Sequence, residues 1–181
     1  KQICEKDIER MIDPKKDLDG ISPENIAKVF AGDSSGFAPC TAEAVMEVLR
    51  ANEIPVEGKR VTVVGRSMVV GKPLAMLMLK ANGTVTMCHT RTRDLKGTCQ
   101  NAEILVAAVG KAKMLNGDYV GQDAVVLDVG INVDEDGKLC GDVDFGSLEG
   151  KAAAATPVPG GVGAVTTAVL AKHLVQAAQR R

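Results

Sequence analysis

The sequence lacks the features that would place a protein in a membrane or on a polyanion. No apolar run reaches about 18 residues, the length that a bilayer-spanning helix needs. The opening KQICEKDIER is charged, unlike a secretory signal peptide. The formal net charge is −1, so overall charge gives no reason to expect nucleic acid or an anionic membrane as a partner. The 181 residues suffice for one good domain and part of a second.

Metal and disulfide frameworks also lack their usual signals. No two cysteines have C-x-x-C spacing, and their number is odd: Cys4, Cys40, Cys88, Cys99 and Cys140. We therefore expect reduced thiols in a cytoplasmic protein. Only two histidines are present, and neither is near a cysteine pair, so no metal site is predicted. His173, within the last helical pattern, is predicted to be structural.

Helical patterns fill the first sixty residues, and alternating strands and helices follow. Helix caps are predicted at Ser22, with Pro23 at the first helical position, and at Thr41. The later predicted segments are strands at 61–64, 84–88, 104–109 and 124–129, helices at 73–81 and 94–101, a hairpin turning at Asp136 and Gly137, and a last amphipathic helix. The continuous Val and Ile runs indicate strands covered on both faces. The predicted fold class is therefore α/β, with a doubly wound, Rossmann-like parallel sheet.

The stretch VTVVGRSMVVGKP, residues 61–73, is typical of the first loop of a nucleotide-binding unit. Gly65 allows a sharp turn off the strand, and Gly71 lets the next helix approach the sheet. The usual fingerprint G-x-G-x-x-G is modified, because Ser67 stands at the second glycine position and the third glycine comes one residue late. Exposed N–H groups at the start of the helix, with the helix dipole, predict an anion site to which Ser67 adds a hydroxyl donor.

The end of the second predicted strand discriminates between cofactors. An NAD site carries Asp or Glu there to bind the ribose hydroxyls. This sequence instead has HTRTR at residues 89–93, and Arg66 lies in the first loop. Guanidinium and hydroxyl groups attract a 2′-phosphate that a carboxylate would repel, so NADP is favoured over NAD. The alternative is that Arg91 and Arg93 are solvated loop charges.

Two other nucleotide and nucleophile motifs are near misses. GRSMV differs from the nucleophile elbow G-x-S-x-G because Val69 stands at its last position. The GKP of residues 71–73 lacks the Ser or Thr that follows lysine in a P-loop. Neither a serine hydrolase nor a P-loop enzyme is therefore predicted.

Several stretches, in one order along nearly the whole chain, resemble one family. They are KDLDG, PCTAEAV, GKRVTVVGRSMVVGKPLAMLM, GTVTMCHTRT, AEILVAAVGK, VVLDVGIN, GDVDF and TPVPGGVGAVT. The chain resembles the bifunctional methylenetetrahydrofolate dehydrogenase/methenyltetrahydrofolate cyclohydrolases, and TPVPGGVG and DVGIN are the most specific of these stretches. The resemblance implies NADP-dependent oxidation of methylenetetrahydrofolate, hydrolysis of the product to formyltetrahydrofolate, a role in one-carbon metabolism and purine biosynthesis, and a homodimer.

The resemblance also assigns roles to residues. Asp19 of KDLDG matches an active-site aspartate that approaches the pterin, whereas Asp17 is interpreted as a turn residue. Gly65, Arg66 and Ser67 match the cofactor-phosphate loop, Thr90 a hydroxyl residue at the 2′-phosphate, and Ile131 a backbone contact near the nicotinamide. The folate side of the cleft matches Pro159, Gly160, Gly161, Val162 and Gly163. Where the family commonly continues GGVGPMT, this chain has Ala164 and Val165, a departure expected to have a small effect.

Family members are longer, and their catalytic lysine, with a tyrosine and a glutamine, would precede Lys1. Because the chain also lacks an initiator Met, we expect a fragment: residues 1–40 as the tail of an N-terminal folate-binding α/β domain, 41–163 as the NADP-binding domain, and 164–181 as a helix that packs back toward the N-terminal domain. The sequence leaves two alternatives open. One is a monofunctional NADP-dependent dehydrogenase of another substrate, similar to shikimate dehydrogenase, and the other is a cofactor-binding fragment without catalysis.

Overall fold

The computed structural model describes residues 4–180, which form six α-helices and seven β-strands. The helices are α1 (Glu5–Met11), α2 (Pro23–Ala31), α3 (Cys40–Ala51), α4 (Gly71–Lys80), α5 (Leu95–Gln100) and α6 (Val162–Gln179). The strands are β1 (Arg60–Val64), β2 (Thr84–Cys88), β3 (Ile104–Ala107), β4 (Ala124–Asp128), β5 (Asn132–Val133), β6 (Leu139–Cys140) and β7 (Ala152–Ala155). Two short 3-10 helices, Gly117–Tyr119 and Phe145–Leu148, complete these elements.

Five strands form one parallel sheet in the order β2-β1-β3-β4-β7. This order confirms the predicted doubly wound α/β fold. The chain moves outward from β1 to β2 and then returns past β1 to β3, so strand order reverses between β1 and β3. At such a reversal the loops beyond the carboxyl ends of the two strands separate and leave a crevice.

Two hydrophobic clusters cover the two faces of this sheet. One joins α3, α4 and α6 to the sheet through side chains such as Val45, Leu49 and Leu74. The other lies beneath α5 and the 3-10 helices and includes Leu105 and Leu115. Because β1 and β3 are buried on both faces, their continuous apolar runs were a reliable strand signal.

The predicted hairpin is present as the antiparallel pair β5 and β6, with Gly137 in a left-handed conformation at its turn. Ser22 is the N-cap of α2, as predicted, and its hydroxyl accepts a hydrogen bond from the Asn25 amide. The prediction for α3 is wrong by two residues, because the helix begins at Cys40 and Thr41 lies inside it. Helix α4 likewise begins at Gly71, so Pro73 is its third residue rather than its first.

Helix α6 runs along α3 and contacts the segment that precedes α3. His173 of α6 is within hydrogen-bonding distance of the Leu18 carbonyl, and Arg180 donates to the Ser35 carbonyl. The Arg180 guanidinium also lies 4.4 Å above the centre of the Phe37 ring. In the described range, no helix has the length and apolar content that a membrane span requires.

Candidate functional site

The candidate site is built on the carboxyl edge of the parallel sheet. The register pairs Val64 with Cys88 and with Ala107, so β1, β2 and β3 end level with one another. Their following loops therefore meet at the crevice where strand order reverses. The predicted cofactor residues Gly65, Arg66, Ser67 and Thr90 lie in the loops after β1 and β2.

Two glycines allow the first loop to pack against its neighbours. Gly65 has a φ of 131°, and a Cβ there would lie 2.1 Å from the Ala108 carbonyl oxygen. A Cβ on Gly71 would lie 2.2 Å from the Gly65 carbonyl oxygen. Both approaches exclude any side chain. The loop therefore keeps its backbone close to the β3 loop and to the start of α4, as the two glycines predicted.

Ser67 has a structural role in addition to the donor role that was expected. Its hydroxyl oxygen accepts hydrogen bonds from the amides of Val70 and Gly71, and its carbonyl accepts one from Lys72. The first amides of α4 are therefore already paired within the chain, which corrects the expectation that they form the anion site. Because the hydroxyl oxygen accepts both bonds, its hydrogen is free to donate outward.

The available backbone donors lie one step earlier, in the loop itself. Within residues 4–180, the amides of residues 66–69 make no hydrogen bond. Arg66, Ser67, Met68 and Val69 are all exposed. Four consecutive free amides beside a serine hydroxyl and a guanidinium make a donor surface that suits a pyrophosphate.

The loop after β2 adds positive charge. Thr90, Arg91 and Arg93 are exposed, and neither arginine has a salt bridge in the described part of the chain. The nearby carboxylate of Asp94 accepts from the Gly97 amide and caps α5. His89 stabilises the turn, since its Nδ1 accepts from the Arg91 amide. The geometry therefore leaves a hydroxyl and two guanidinium groups directed to solvent at the sheet edge.

A buried acid that the sequence analysis missed holds the loop after β3. Asp142 is fully buried, and its carboxylate accepts from the amides of Val109, Gly110 and Lys111 and from the Asn132 side chain. Its own amide donates to Asp128 at the end of β4. Asp142 thereby fixes the wall of the crevice opposite the glycine loop. The signal was present in GDVDF, which had been noted only as a family stretch.

Asp128 forms the base of the same network. It is buried, and it accepts from the amides of Gly130, Asp142 and Val143. Burial raises the pKa of Asp128, and the neighbouring Asp142 adds to that effect, although the three amides lower it. A Cβ on Gly130 or on Gly141 would collide with one of the two carboxylates. The DVGIN stretch is therefore fixed by its own Asp128, which binds the Gly130 amide, and by Asp142, which binds the Asn132 side chain.

Ile131 and the glycine-proline loop lie together on the far side of the crevice. Ile131 is 70% exposed, and its Cδ1 lies 3.7 Å from the position of a Cβ on Gly163. Pro159, Gly160 and Gly163 are exposed, Gly161 is half-buried, and Val162 is buried as the first residue of α6. The structure thus brings the residue predicted to contact the nicotinamide next to the loop predicted to contact folate.

Asp19 lies outside these loops, next to the start of α3. It is exposed, and its Oδ1 accepts from the Cys40 amide at 2.8 Å, at the first turn of α3. Pro39, next to Cys40, lines a cavity of about 160 Å³ together with Met68 of the glycine loop. No hydrogen bond within residues 4–180 joins Asp19 to the sheet-edge loops.

Asp17 is more than the turn residue that was expected. It is 4% exposed, and its carboxylate accepts from the amides of Ile21 and Ser22 and from the Asn25 side chain. Burial acts to raise the pKa of Asp17, but these hydrogen bonds outweigh it and lower the pKa. Asp17 therefore fixes the KDLDG turn onto the start of α2, while Asp19 keeps an oxygen free.

Fold and site together define a class: a doubly wound α/β domain whose loop donors suit a dinucleotide at the point where strand order reverses. Residues 39–181 match the family model described as tetrahydrofolate dehydrogenase/cyclohydrolase, NAD(P)-binding domain. The chain belongs to this family.

Individual relatives agree with the family match. The chain is 55% identical over 181 residues to the bifunctional protein FolD of Clostridium kluyveri, with 100% of this chain and 64% of the relative covered. It is similar to the crystal structure of the bifunctional enzyme FolD from Campylobacter jejuni, with a TM-score of 0.96, 42% identity and coverage of 99% and 64%. A FolD of Trypanosoma brucei, solved with NADP cofactor and an inhibitor, has a TM-score of 0.91, 36% identity and coverage of 99% and 63%. The chain thus spans less than two thirds of the length of these relatives.

Proposed function

We propose that this chain carries the NADP site and part of the folate site of a methylenetetrahydrofolate dehydrogenase/methenyltetrahydrofolate cyclohydrolase. Family membership and the NADP-bound relative support this proposal. One observation of the structure carries it: the free amides of residues 66–69 and three arginines without a salt bridge within residues 4–180 lie at the carboxyl ends of β1 and β2, where the neighbouring acid, Asp94, caps α5.

The loops after β1 and β2 would bind different groups of the cofactor. The amides of residues 66–69 and the outward hydrogen of Ser67 would hold the pyrophosphate. Arg66, Thr90 and the guanidinium groups of Arg91 and Arg93 would hold the 2′-phosphate by charge-assisted hydrogen bonds. When bound, NADP would supply the hydride acceptor of the dehydrogenase reaction. Ile131 and the Asp142 network would then limit where the nicotinamide end can lie.

The folate side is proposed to combine Asp19 with the loop at residues 159–163. Removal of hydride from the methylene bridge requires no base at carbon, so this half of the reaction depends on orientation. Exposed glycine backbone at Gly160 and Gly163 lets a flat ring approach the chain closely, and Asp19 can accept N–H groups of a pterin. Water addition to the methenyl group needs a general base, a role that the resemblance gives to a lysine preceding Lys1.

The chain is proposed to consist of three segments. Residues 1–40 would form the tail of a folate-binding domain, 41–163 the NADP-binding domain, and 164–181 the returning helix. The bonds from His173 to Leu18 and from Arg180 to Ser35 support the last part, although α6 already begins at Val162. Residues 1–3 and 181 lie outside the described part of the chain. A homodimer, a cytoplasmic location and a place in one-carbon metabolism leading to purine biosynthesis are proposed from the family alone.

Cofactor choice tests the proposal through Arg66→Ala. This change removes one charged contact to the 2′-phosphate, which is worth about 1.5–3 kcal/mol or roughly ten- to a hundredfold in affinity. We expect NADP binding to weaken by that factor while NAD binding changes much less. Titration calorimetry with both cofactors measures the difference.

Arg60→Ala is the matched control. Arg60 lies at the opposite, amino end of β1, where it pairs with Glu103 on the surface. Removing it should leave both cofactor affinities nearly unchanged. Equal losses of NADP and NAD affinity in Arg66→Ala would contradict the proposed 2′-phosphate contact.

A further inference from the structure

His173 is buried in α6 between two hydrogen-bond acceptors. Its Nδ1 lies 2.7 Å from the Leu18 carbonyl oxygen, and its Nε2 lies 2.9 Å from Oε2 of Glu43. The ring is 1% exposed and packs against Phe37, with ring centroids 4.9 Å apart. Lys172 binds the other oxygen of Glu43 at 2.7 Å.

These neighbours determine the protons on the ring. A carbonyl oxygen can only accept, so Nδ1 must carry a hydrogen. Burial acts to raise the pKa of Glu43, but hydrogen bonds from His173 and Lys172 outweigh it and lower that pKa to about 2, so the carboxylate also accepts. With an acceptor on each side, His173 donates through both nitrogens when protonated, and the ring has no freedom to rotate between them.

The accepting carbonyl belongs to the residue just before Asp19. The Cys40 thiol donates to the same carbonyl at 3.3 Å, and the Cys40 amide donates to the Asp19 carboxylate. Leu18 and Asp19 are thereby held by hydrogen bonds from α6, through His173, and from the start of α3, through Cys40. This arrangement determines the backbone direction from which the Asp19 side chain leaves the turn.

We propose that His173 is a positioning residue for Asp19: by donating through Nδ1 to the Leu18 carbonyl, it holds the KDLDG turn so that the free carboxylate oxygen faces the folate side of the cleft. This inference rests on the proposed function of Asp19. It assigns a part in substrate binding to a residue of α6 that lies far along the helix from the glycine-proline loop. Gly163 and His173 lie about 15 Å apart along the helix axis.

Two substitutions separate the two nitrogens in the full-length enzyme. The amide nitrogen of Asn lies near the position of Nδ1, and that of Gln lies near Nε2. His173→Asn therefore keeps the donor to Leu18 and loses the contact with Glu43, whereas His173→Gln does the reverse. We expect His173→Gln to raise the KM for methylenetetrahydrofolate about tenfold and His173→Asn to raise it less than about threefold. The affinity for NADP should stay within about twofold of the unsubstituted enzyme in both.

A second readout does not depend on catalysis. Hydrogen exchange at the Cys40 amide, which donates to Asp19, should accelerate about tenfold in His173→Gln and stay close to the unsubstituted rate in His173→Asn. A merely structural histidine would lower the melting temperature in both variants without this difference between them. If His173→Gln does not fold, Cys40→Ala and Cys40→Ser form a replacement pair, since only Ser keeps a side-chain donor to Leu18.

Asp19→Ala separates failure of the inference from failure of the function. If Asp19→Ala raises the folate KM but the Asn and Gln variants of His173 behave alike in both KM and amide exchange, His173 does not position Asp19. If Asp19→Ala leaves the folate KM unchanged, the proposed role of Asp19 is wrong and the positioning proposal fails with it. Unequal KM values that follow the exchange rates support the proposal.

Discussion

Two carboxylates in the KDLDG turn, only two positions apart, have opposite surroundings. Asp17 is buried and accepts three hydrogen bonds, from the amides of the two residues before α2 and from the Asn25 side chain within it. Asp19 is exposed, and one of its oxygens accepts a single bond from Cys40. A buried, fully paired acid stabilises structure, whereas an acid with a free oxygen at a cleft can bind a ligand. The two residues should therefore respond differently to the same substitution.

Asp19→Asn tests the ligand role in the full-length enzyme. The amide oxygen of Asn can still accept from Cys40, so the cap of α3 and the melting temperature should be retained. The other oxygen becomes a donor that faces the pterin N–H groups, a mismatch that costs about 1–3 kcal/mol. Folate binding and both activities should fall together, by roughly five- to a hundredfold, while NADP affinity stays nearly constant. A drop mainly in melting temperature would show that Asp19 is structural.

Asp17→Asn should produce the opposite pattern. Three donors converge on this carboxylate, and an Asn nitrogen would face one or more of them. The buried mismatch costs about 1–3 kcal/mol, which corresponds to about 3–10 °C in melting temperature for a chain of this size. Differential scanning calorimetry measures this shift. We expect the KM for folate to change less than in Asp19→Asn at temperatures where both variants are folded.

At the scale of helices and strands, local sequence signals predicted the elements that depend on local chemistry. The buried strands β1, β3 and β4, the Ser22 cap and the hairpin turn all agree with the predictions. The start of α3 does not, because the acceptor that caps its first amide is Asp19, a residue 21 positions earlier in the chain. Thr41 was the best local candidate, and no local pattern could have revealed a cap supplied by a distant turn.

Strand β7 was not predicted for a similar reason. Its sequence is AAAA, and alanine is the strongest helix former. Pairing with β4 at the sheet edge overrides that preference, and the Asp123 amide bonds to the Lys151 carbonyl where the pair begins. The same limit applies to the site. The glycines and arginines could be found from sequence, whereas the free amides of residues 66–69 and the Asp142 network depend on tertiary contacts.

The packing of α6 on α3 should depend on pH through Glu43 and His173. Burial opposes both charges, yet hydrogen bonds from His173 and Lys172 lower the pKa of Glu43 to about 2, and hydrogen bonds to Glu43 and to the Leu18 carbonyl raise the pKa of His173 above its usual 6.5. The contribution of Glu43 is therefore complete above about pH 4.5 and is lost as pH falls toward 2. That of His173 is complete below about pH 6.5 and is lost as pH rises through its raised pKa.

Glu43→Gln tests this coupling. We expect it to lower the free energy of unfolding by about 1–3 kcal/mol between pH 5 and 6.5, and the difference from the unsubstituted protein should shrink below pH 4.5. Urea unfolding at several pH values measures it. The control is Glu24→Gln, which breaks an exposed pair with Lys28 and should change stability by less than about 0.5 kcal/mol at any pH. A Glu43→Gln difference that is constant down to pH 3 would contradict the assignment.

At the scale of the whole molecule, the chain spans only 63% to 64% of the length of the three relatives to which it was compared. The parallel sheet and both hydrophobic clusters lie within residues 4–180 and support the loops of the proposed cofactor site. The proposed folate site is different. Among the described residues it consists of Asp19 and the glycine-proline loop. The lysine to which the resemblance gives the role of general base would precede Lys1.

The 181-residue chain alone should therefore bind NADP without catalysing either reaction. Binding should follow from the loops after β1 and β2, which are held by contacts within the chain, whereas cyclohydrolase chemistry lacks its proposed base. With a sample whose length is verified by mass spectrometry, calorimetry should detect NADP binding that Arg66→Ala weakens. Absorbance assays should detect no oxidation of methylenetetrahydrofolate and no hydrolysis of methenyltetrahydrofolate above the uncatalysed rate, while the full-length enzyme under the same conditions turns over both. Robust hydrolysis by the verified 181-residue chain would mean that the general base lies among the residues present, with Lys16 and Lys72, which have no salt bridge within residues 4–180, as the first candidates to replace.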